Sequence, residues 1–201
     1  MKTLTKDIQE KISPADALTI LKEGNIRFIK NLQIERDLQK QVSETSTGQY
    51  PFAVVLSCID SRVPVELVFD QGIGDIFSTR VAGNIINEDV LGSIEYSCKV
   101  AGSKIVVVMG HTKCGAVTAA CKNVELGNIT SLLSKIKPAI EVIKEKGIED
   151  NFVENVSIQN VKLSIEGIRK SSPILFEMEK AGEIEIVGAS YDVSTGKVNF
   201  I

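Results

Sequence analysis

The chain has 201 residues, with 23 basic and 26 acidic side chains and a formal net charge of -3. Charges of both signs are spread without long blocks, so no stripe exists to follow a phosphate backbone and a nucleic-acid partner is not expected. No apolar run approaches the ~20 residues of a membrane span, so a membrane partner is not expected either.

Residues 1–12 carry lysines but no apolar stretch of the length that a secretory signal requires. The expected location is the cytoplasm, with the proviso that a signal already removed would leave no trace. Ser13-Pro14 reads as a helix cap followed by proline at the first helical position, and Ala17, Leu18, Leu21, Phe28 and Leu32 then recur at roughly helical spacing. This predicts an amphipathic N-terminal helical arm over about 13–33, interrupted at Gly24. Residues 39–49 are polar, lack an apolar period and end near Pro51, which reads as a loop.

Phe52-Ala53-Val54-Val55-Leu56 is the first strand signal, followed by candidates at 76–81, 105–109 and 184–187. The runs at 52 and 105 are apolar throughout, as in strands covered on both faces. Helical patterns lie between them at 89–101, 114–121 and much of 129–180. Alternation of this kind implies a mainly parallel sheet with right-handed crossovers. The turn chemistry of residues 193–197 then returns Val198-Asn199-Phe200 as an antiparallel edge. The expected fold is therefore α/β: one domain over 1–201, a mainly parallel central sheet of about four strands, a C-terminal antiparallel edge strand, and flanking helices.

Four cysteines are too few for a disulfide scaffold, and the single histidine, His111, excludes any site built on several. Two segments concentrate the chemistry: Ser57-Cys58-Ile59-Asp60-Ser61-Arg62 and Gly110-His111-Thr112-Lys113-Cys114-Gly115. Each follows an apolar strand, and ligands of open α/β sheets bind beyond the carboxyl ends of the strands. In an extended chain Cys58, Asp60 and Arg62 share one side. His111 and Cys114, three apart, would be neighbours on the first turn of a helix starting after Gly110. Two thiolates and one imidazole thus converge and leave one tetrahedral position open, the donor set of a catalytic zinc ion.

An isolated cysteine or histidine is by default a buried thiol or a hydrogen-bonded core imidazole, but the coincidence of C-x-D-x-R with H-x-x-C after two buried strands favours metal. A structural zinc would need a fourth ligand from Cys98 or Cys121, both of which fall in predicted helices and are assigned to packing. Gly72-Ile73-Gly74 lacks the third glycine of a dinucleotide fingerprint.

CIDSRV, GHTKCGAV and the RVAGN run at 80–84 closely resemble the signature segments of β-class carbonic anhydrases, in register over about 49–117. The resemblance implies Zn²⁺ on Cys58, His111 and Cys114, and an Asp60–Arg62 pair beside it. It also implies a substrate pocket in which Gln49 offers an amide to carbon dioxide or bicarbonate, Phe77 and Tyr96 form apolar walls, and Gly115 brings backbone close. Family members are dimers or larger assemblies with the pocket at a subunit boundary, so a homodimer or homotetramer is expected, with Gln49, Phe77 and Tyr96 serving a neighbour's zinc. Ile59 stands where the family usually has a small polar residue, and it is expected to point away from the metal.

The implied reaction is reversible hydration of carbon dioxide by zinc-bound hydroxide. Asp60 orients the hydroxide and Arg62 holds Asp60. Two thiolates and a neutral imidazole cancel the charge of Zn²⁺, so activity is expected to rise above neutral pH. Hydrolysis of carbon disulfide or carbonyl sulfide at the same site, and a non-catalytic zinc-containing bicarbonate-binding module, stand as alternatives. Asp60 becomes a metal ligand only in the closed state of a regulated branch, which carries tryptophan where this chain has Val55; an open site with Asp60 on Arg62 is expected.

Overall fold

The computed structural model describes residues 3–201. Its centre is one sheet of β1 (Ala53–Ser57), β2 (Ile76–Arg80), β3 (Ile105–His111), β4 (Glu185–Tyr191) and β5 (Val198–Phe200), in the order β2-β1-β3-β4-β5. The first four strands run parallel and β5 pairs antiparallel with β4, the arrangement that the apolar runs and the late turn predict. Every residue of β1 and β3 is buried, because these central strands are covered on both faces.

Strand periodicity divides that coverage. Ala53, Val55, Val107 and Met109 face Ala17 and Leu21 of α2 (Pro14–Ile29) together with Phe69. Val54, Leu56, Val106 and Val108 face Val161, Ile165 and Ile168 of α9 (Phe152–Ser171). Each such Val, Leu or Ile contributes about 1.5–3 kcal/mol when fully buried, so the two layers hold the strand ends firmly. A third cluster lies beyond those ends, where Cys58 and Cys114 pack with Ile85, Val117, Ile136 and Ile140.

The helices differ from expectation in three places. α2 begins at the predicted cap, where Ser13 and Asp16 form a reciprocal capping box, but it runs unbroken through Gly24. A Cβ there would lie 1.8 Å from the Phe69 carbonyl oxygen, so this glycine permits close helix packing rather than a break. The helix stops at Ile29 and Asn31 takes a left-handed φ of 55°, which leaves Leu32 outside the helix and exposed. A short α1 (Lys6–Lys11) precedes it.

The predicted loop over 39–49 is largely a helix, α3 (Leu38–Thr45), capped by the Asp37 side chain on Lys40 N. Its one buried residue is Gln41, whose Oε1 accepts from Ile73 N, so the buried face is polar and shows no apolar period. After a short α4 (Val65–Val68), the predicted helix at 89–101 is α5 (Glu88–Glu95) continued by a π-helical turn, Tyr96–Val100.

The long helical stretch is cut into four. After α6 (Gly115–Cys121), which answers the separate pattern at 114–121, these are α7 (Gly127–Ser134), α8 (Lys137–Glu145), α9 and α10 (Pro173–Lys180). Gly147 with φ 66° precedes α9, and Pro173 opens α10. No helix among the described residues is long and apolar enough to cross a membrane.

Candidate metal centre

Register decides what meets at the carboxyl edge of the sheet. Ser57 lies opposite Met109 on one side and Arg80 on the other, and His111 lies opposite Tyr191. Cys58 is thus the first residue past β1, His111 the last of β3, and Cys114 the N-cap of α6. His111 and Cys114 do not share a helical turn, contrary to expectation. The Thr112-Lys113 turn, with Lys113 at φ 55°, folds the chain back so that the two side chains still converge.

The donor atoms of Cys58, His111 and Cys114 all lie within 4.8 Å of one another, and all three residues are buried. The two Sγ atoms are 4.0 Å apart. Two sulfurs bound to zinc at about 2.3 Å with tetrahedral angles would sit roughly 3.8 Å apart, so the pair needs little movement to hold the ion. Nδ1 of His111 is 2.9 Å from the Thr112 carbonyl oxygen, which places the ring proton on Nδ1. Nε2 therefore presents a lone pair, and it is buried with no hydrogen-bond partner. An orphaned buried acceptor is costly to leave unpaired, and beside two thiols it has the chemistry of a metal ligand.

Hydrogen bonds set the charge of the pair. The contact with Cys114, in which either sulfur can donate, and the N–H of Gly83 hold the Cys58 thiol below its ordinary range, against the effect of burial. Cys114, next to the Cys58 sulfur and in a buried place, is pushed up. The thiol protons would leave when a cation binds. Cys98 and Cys121 lie outside the cluster: Cys98 is buried in the π-helical turn and its thiol is pushed up to about 12 by burial, while Cys121 ends α6.

Asp60 and Arg62 form a forked pair. Nε of Arg62 donates to Oδ1 at 2.9 Å, Nη2 to Oδ2 at 2.7 Å, and the Arg62 backbone N–H also meets Oδ1. This holds the Asp60 carboxyl well below the usual carboxylate range. Oδ2 stands 3.9 Å from Nε2 of His111, so the carboxylate borders the cluster without joining it. Ile59 is largely exposed, as its place in an alternating segment predicts.

The other predicted residues are not gathered here within one chain, with one exception. Gly115 opens α6 next to Cys114, and nothing lies within 4 Å of where its Cβ would be. Gln49 is exposed and precedes β1, so the whole strand, about 17 Å at 3.3 Å per residue, separates it from Cys58. It lines a groove with Lys6, Tyr50 and Lys104. Phe77 and Tyr96 meet edge to face at 6.3 Å in a second groove between β2 and α5, which none of the three donor residues lines. β2 is an edge strand, so that groove is open to a second chain.

Two residues that sequence reasoning left without a role complete the centre. Arg80 donates from Nε to the Cys58 carbonyl and from Nη2 to the Asp60 carbonyl, which clamps the segment that carries both side chains. Gly83, at φ 70°, directs its N–H to Cys58 Sγ at 3.4 Å, and a Cβ there would meet Ile136 Cδ1 at 2.7 Å. The signal for both was the RVAGN run itself, an arginine at a strand end followed by a glycine.

Known proteins share this organisation. The model of the carbonic anhydrase family matches residues 53–198. The chain is 35% identical over 193 residues to a carbonic anhydrase of Mycolicibacterium smegmatis, a match that covers 92% of each chain. It is 33% identical over 191 residues to carbonic anhydrase 2 of Mycobacterium tuberculosis, covering 92% of this chain and 91% of that one. A β-carbonic anhydrase of Aspergillus fumigatus superposes with a TM-score of 0.74 at 27% identity, covering 93% of this chain and 89% of its own. A structure from work on two tetrameric β-carbonic anhydrases of Sordaria macrospora shares the fold, with a TM-score of 0.73 at 22% identity over 81% of this chain and 90% of that one.

Proposed function

The chain belongs to the carbonic anhydrase family, in its β class, and from that premise we propose that it interconverts carbon dioxide with bicarbonate and a proton, using zinc held by Cys58, His111 and Cys114. The observation that carries the metal assignment is Nε2 of His111, buried, unpartnered and facing two thiols 4.0 Å apart. When bound there, zinc supplies the Lewis acidity that lowers the pKa of water and provides a nucleophile for carbon dioxide at workable pH.

The protein's own groups supply orientation. Asp60, held as a carboxylate by Arg62, can only accept hydrogen bonds, so it takes the O–H of the reacting oxygen and leaves a lone pair for the substrate carbon. Arg80 fixes the backbone on which Cys58 and Asp60 stand. Gly115, next to Cys114 and without a side chain, leaves its backbone open beside the cluster.

Gln49, Phe77 and Tyr96 complete the pocket from a second copy, in a homodimer or homotetramer. Their distance from the cluster within one chain, and the open edge at β2, support this reading.

Stopped-flow hydration of carbon dioxide between pH 6 and 9, with zinc quantified per chain, tests the proposal. One zinc per chain and a rate that climbs toward alkaline pH are expected. Stoichiometric zinc without hydration would favour a bicarbonate-binding module, and hydrolysis of carbon disulfide or carbonyl sulfide outpacing hydration would reassign the substrate.

A further inference from the structure

Besides the buried Gln159, α9 carries three buried polar side chains at helical spacing, Ser157, Asn160 and Ser164. They share the helix with Val161, Ile165 and Ile168, which enter the core, so their presence there needs a reason. Each reaches a backbone carbonyl at the carboxyl edge of the sheet. Ser157 Oγ donates to His111 O at 3.3 Å, Asn160 Nδ2 to Gly83 O at 2.8 Å, and Ser164 Oγ to Asn84 O at 3.4 Å.

The Asn160 bond is the shortest, and it alone leads to a sulfur. Gly83 presents its N–H to Cys58 Sγ, and it does so from φ 70°, a conformation that glycine adopts but does not prefer strongly over others. Local sterics therefore do not hold that N–H on the sulfur. The space around Gly83 restrains it, through Ile136 and Ala116, but neither offers a polar group to fix the rotation of its peptides. The peptide that follows Gly83 is held at both ends, its N–H on the Val81 carbonyl at 2.9 Å and its carbonyl by the Asn160 amide, which is the side-chain member of the pair and limits how Gly83 can turn.

We propose that Asn160 is a positioning residue for the metal centre: by holding the Gly83 carbonyl it keeps the Gly83 N–H on the Cys58 sulfur, and so sets the strength and electronic character of that thiolate as a ligand. The proposal rests on the metal reading above. A hydrogen bond to a ligand atom orients it and tunes its donation, and loss of such a partner typically lowers metal affinity about 10–100-fold.

The test compares full-length Asn160→Leu, Asn160→Ser and Ser164→Ala proteins with wild type. Zinc affinity is measured by chelator competition, and the sulfur-to-metal charge-transfer band is recorded after cobalt substitution. Asn160→Leu, similar in volume but without a donor, is expected to weaken zinc binding at least tenfold and to shift the band. Asn160→Ser, with a shorter donor, is expected to fall between. Ser164→Ala, which loses a bond from the same helix to a carbonyl not linked to sulfur, is expected to match wild type in both readouts.

A folded Asn160→Leu protein with the affinity and band of Ser164→Ala overturns the proposal. If Asn160→Leu does not fold, a wild-type affinity and band in Asn160→Ser overturn it instead. Wild-type protein that fails to bind zinc, or a cobalt form without any sulfur charge-transfer band, overturns the metal reading itself and this inference with it.

Discussion

The side chain of Arg80 is tied to the backbone of Cys58: its Nε donates to the Cys58 carbonyl at 3.0 Å, and its Nη2 donates to the Asp60 carbonyl two residues on. Arg80 is the last residue of β2 and pairs in register with Ser57, so sheet formation alone delivers it to the metal-bearing segment. Arg80→Leu should lower hydration activity by about 10–100-fold through loss of ligand orientation. Arg80→Lys should recover little of it, because an ammonium lacks the planar fork that spans two carbonyls. Wild-type rates in both variants would show that the clamp is idle.

Asp60→Asn should keep its zinc and lose about 10–100-fold in activity, since the amide can turn a donor toward the reacting oxygen. Arg62→Ala should follow in the same direction, because it removes both bonds that aim the carboxylate. Metal content and rate measured on the same preparations separate the two roles. Zinc lost together with the carboxylate would make Asp60 a ligand and not an orienting group.

Cys58→Ala, His111→Ala and Cys114→Ala should each lose zinc and all measurable activity, since two donors hold the ion far less well than three. Cys98→Ser and Cys121→Ser should retain zinc, because neither thiol reaches the cluster. A His111→Ala protein that keeps one zinc per chain would refute the ligand assignment.

Gln49→Ala and His111→Ala proteins should each be nearly inactive alone. Mixed after dissociation and reassembly, they should regain activity if, as proposed, a mixed dimer pairs an intact Cys58–His111–Cys114 cluster in one protomer with an intact Gln49 in its partner. Mixing that restores nothing, in samples shown by native mass spectrometry to contain hybrids, would place Gln49 outside the neighbour's site.

Asp70, buried, accepts from Arg27 Nε, Arg36 Nη1 and the Ile34 N–H. Burial raises its pKa, but the two guanidinium groups and the N–H together hold the carboxyl below its ordinary range. A depressed folded pKa gives stability that is full above the unfolded value of about 3.9 and is lost as pH falls through the folded value. Asp70→Asn, which takes the carboxylate from the part-buried Arg36 and from Arg27, should cost about 1.5–3 kcal/mol at pH 7. Urea unfolding should show the gap to wild type narrowing only below about pH 4; a gap already gone at pH 5.5 would contradict the linkage.

The elements legible in the sequence are those set by short-range chemistry. The apolar, β-branched runs of β1 and β3 read as strands covered on both faces, and Ser13-Pro14 as the start of a helix, and the structure has both. Cys58, His111 and Cys114 were legible for the same reason: each follows a recognisable strand, and donor types at those spacings have few other uses. α3 was not legible, because its buried residue is a glutamine that satisfies a loop N–H and leaves no apolar period.

What only the tertiary structure decided is which segments face one another. Pairing register places Arg80 beside Cys58, a turn and not a helix brings His111 to Cys114, and Gly83, in a left-handed step next to Ile136 and bonded by Asn160, meets Cys58 Sγ. The same geometry removes Gln49, Phe77 and Tyr96 from the cluster of their own chain. Period and spacing report which face of one element is buried, whereas these placements depend on how several elements stack, a quantity fixed by contacts between residues far apart in the chain.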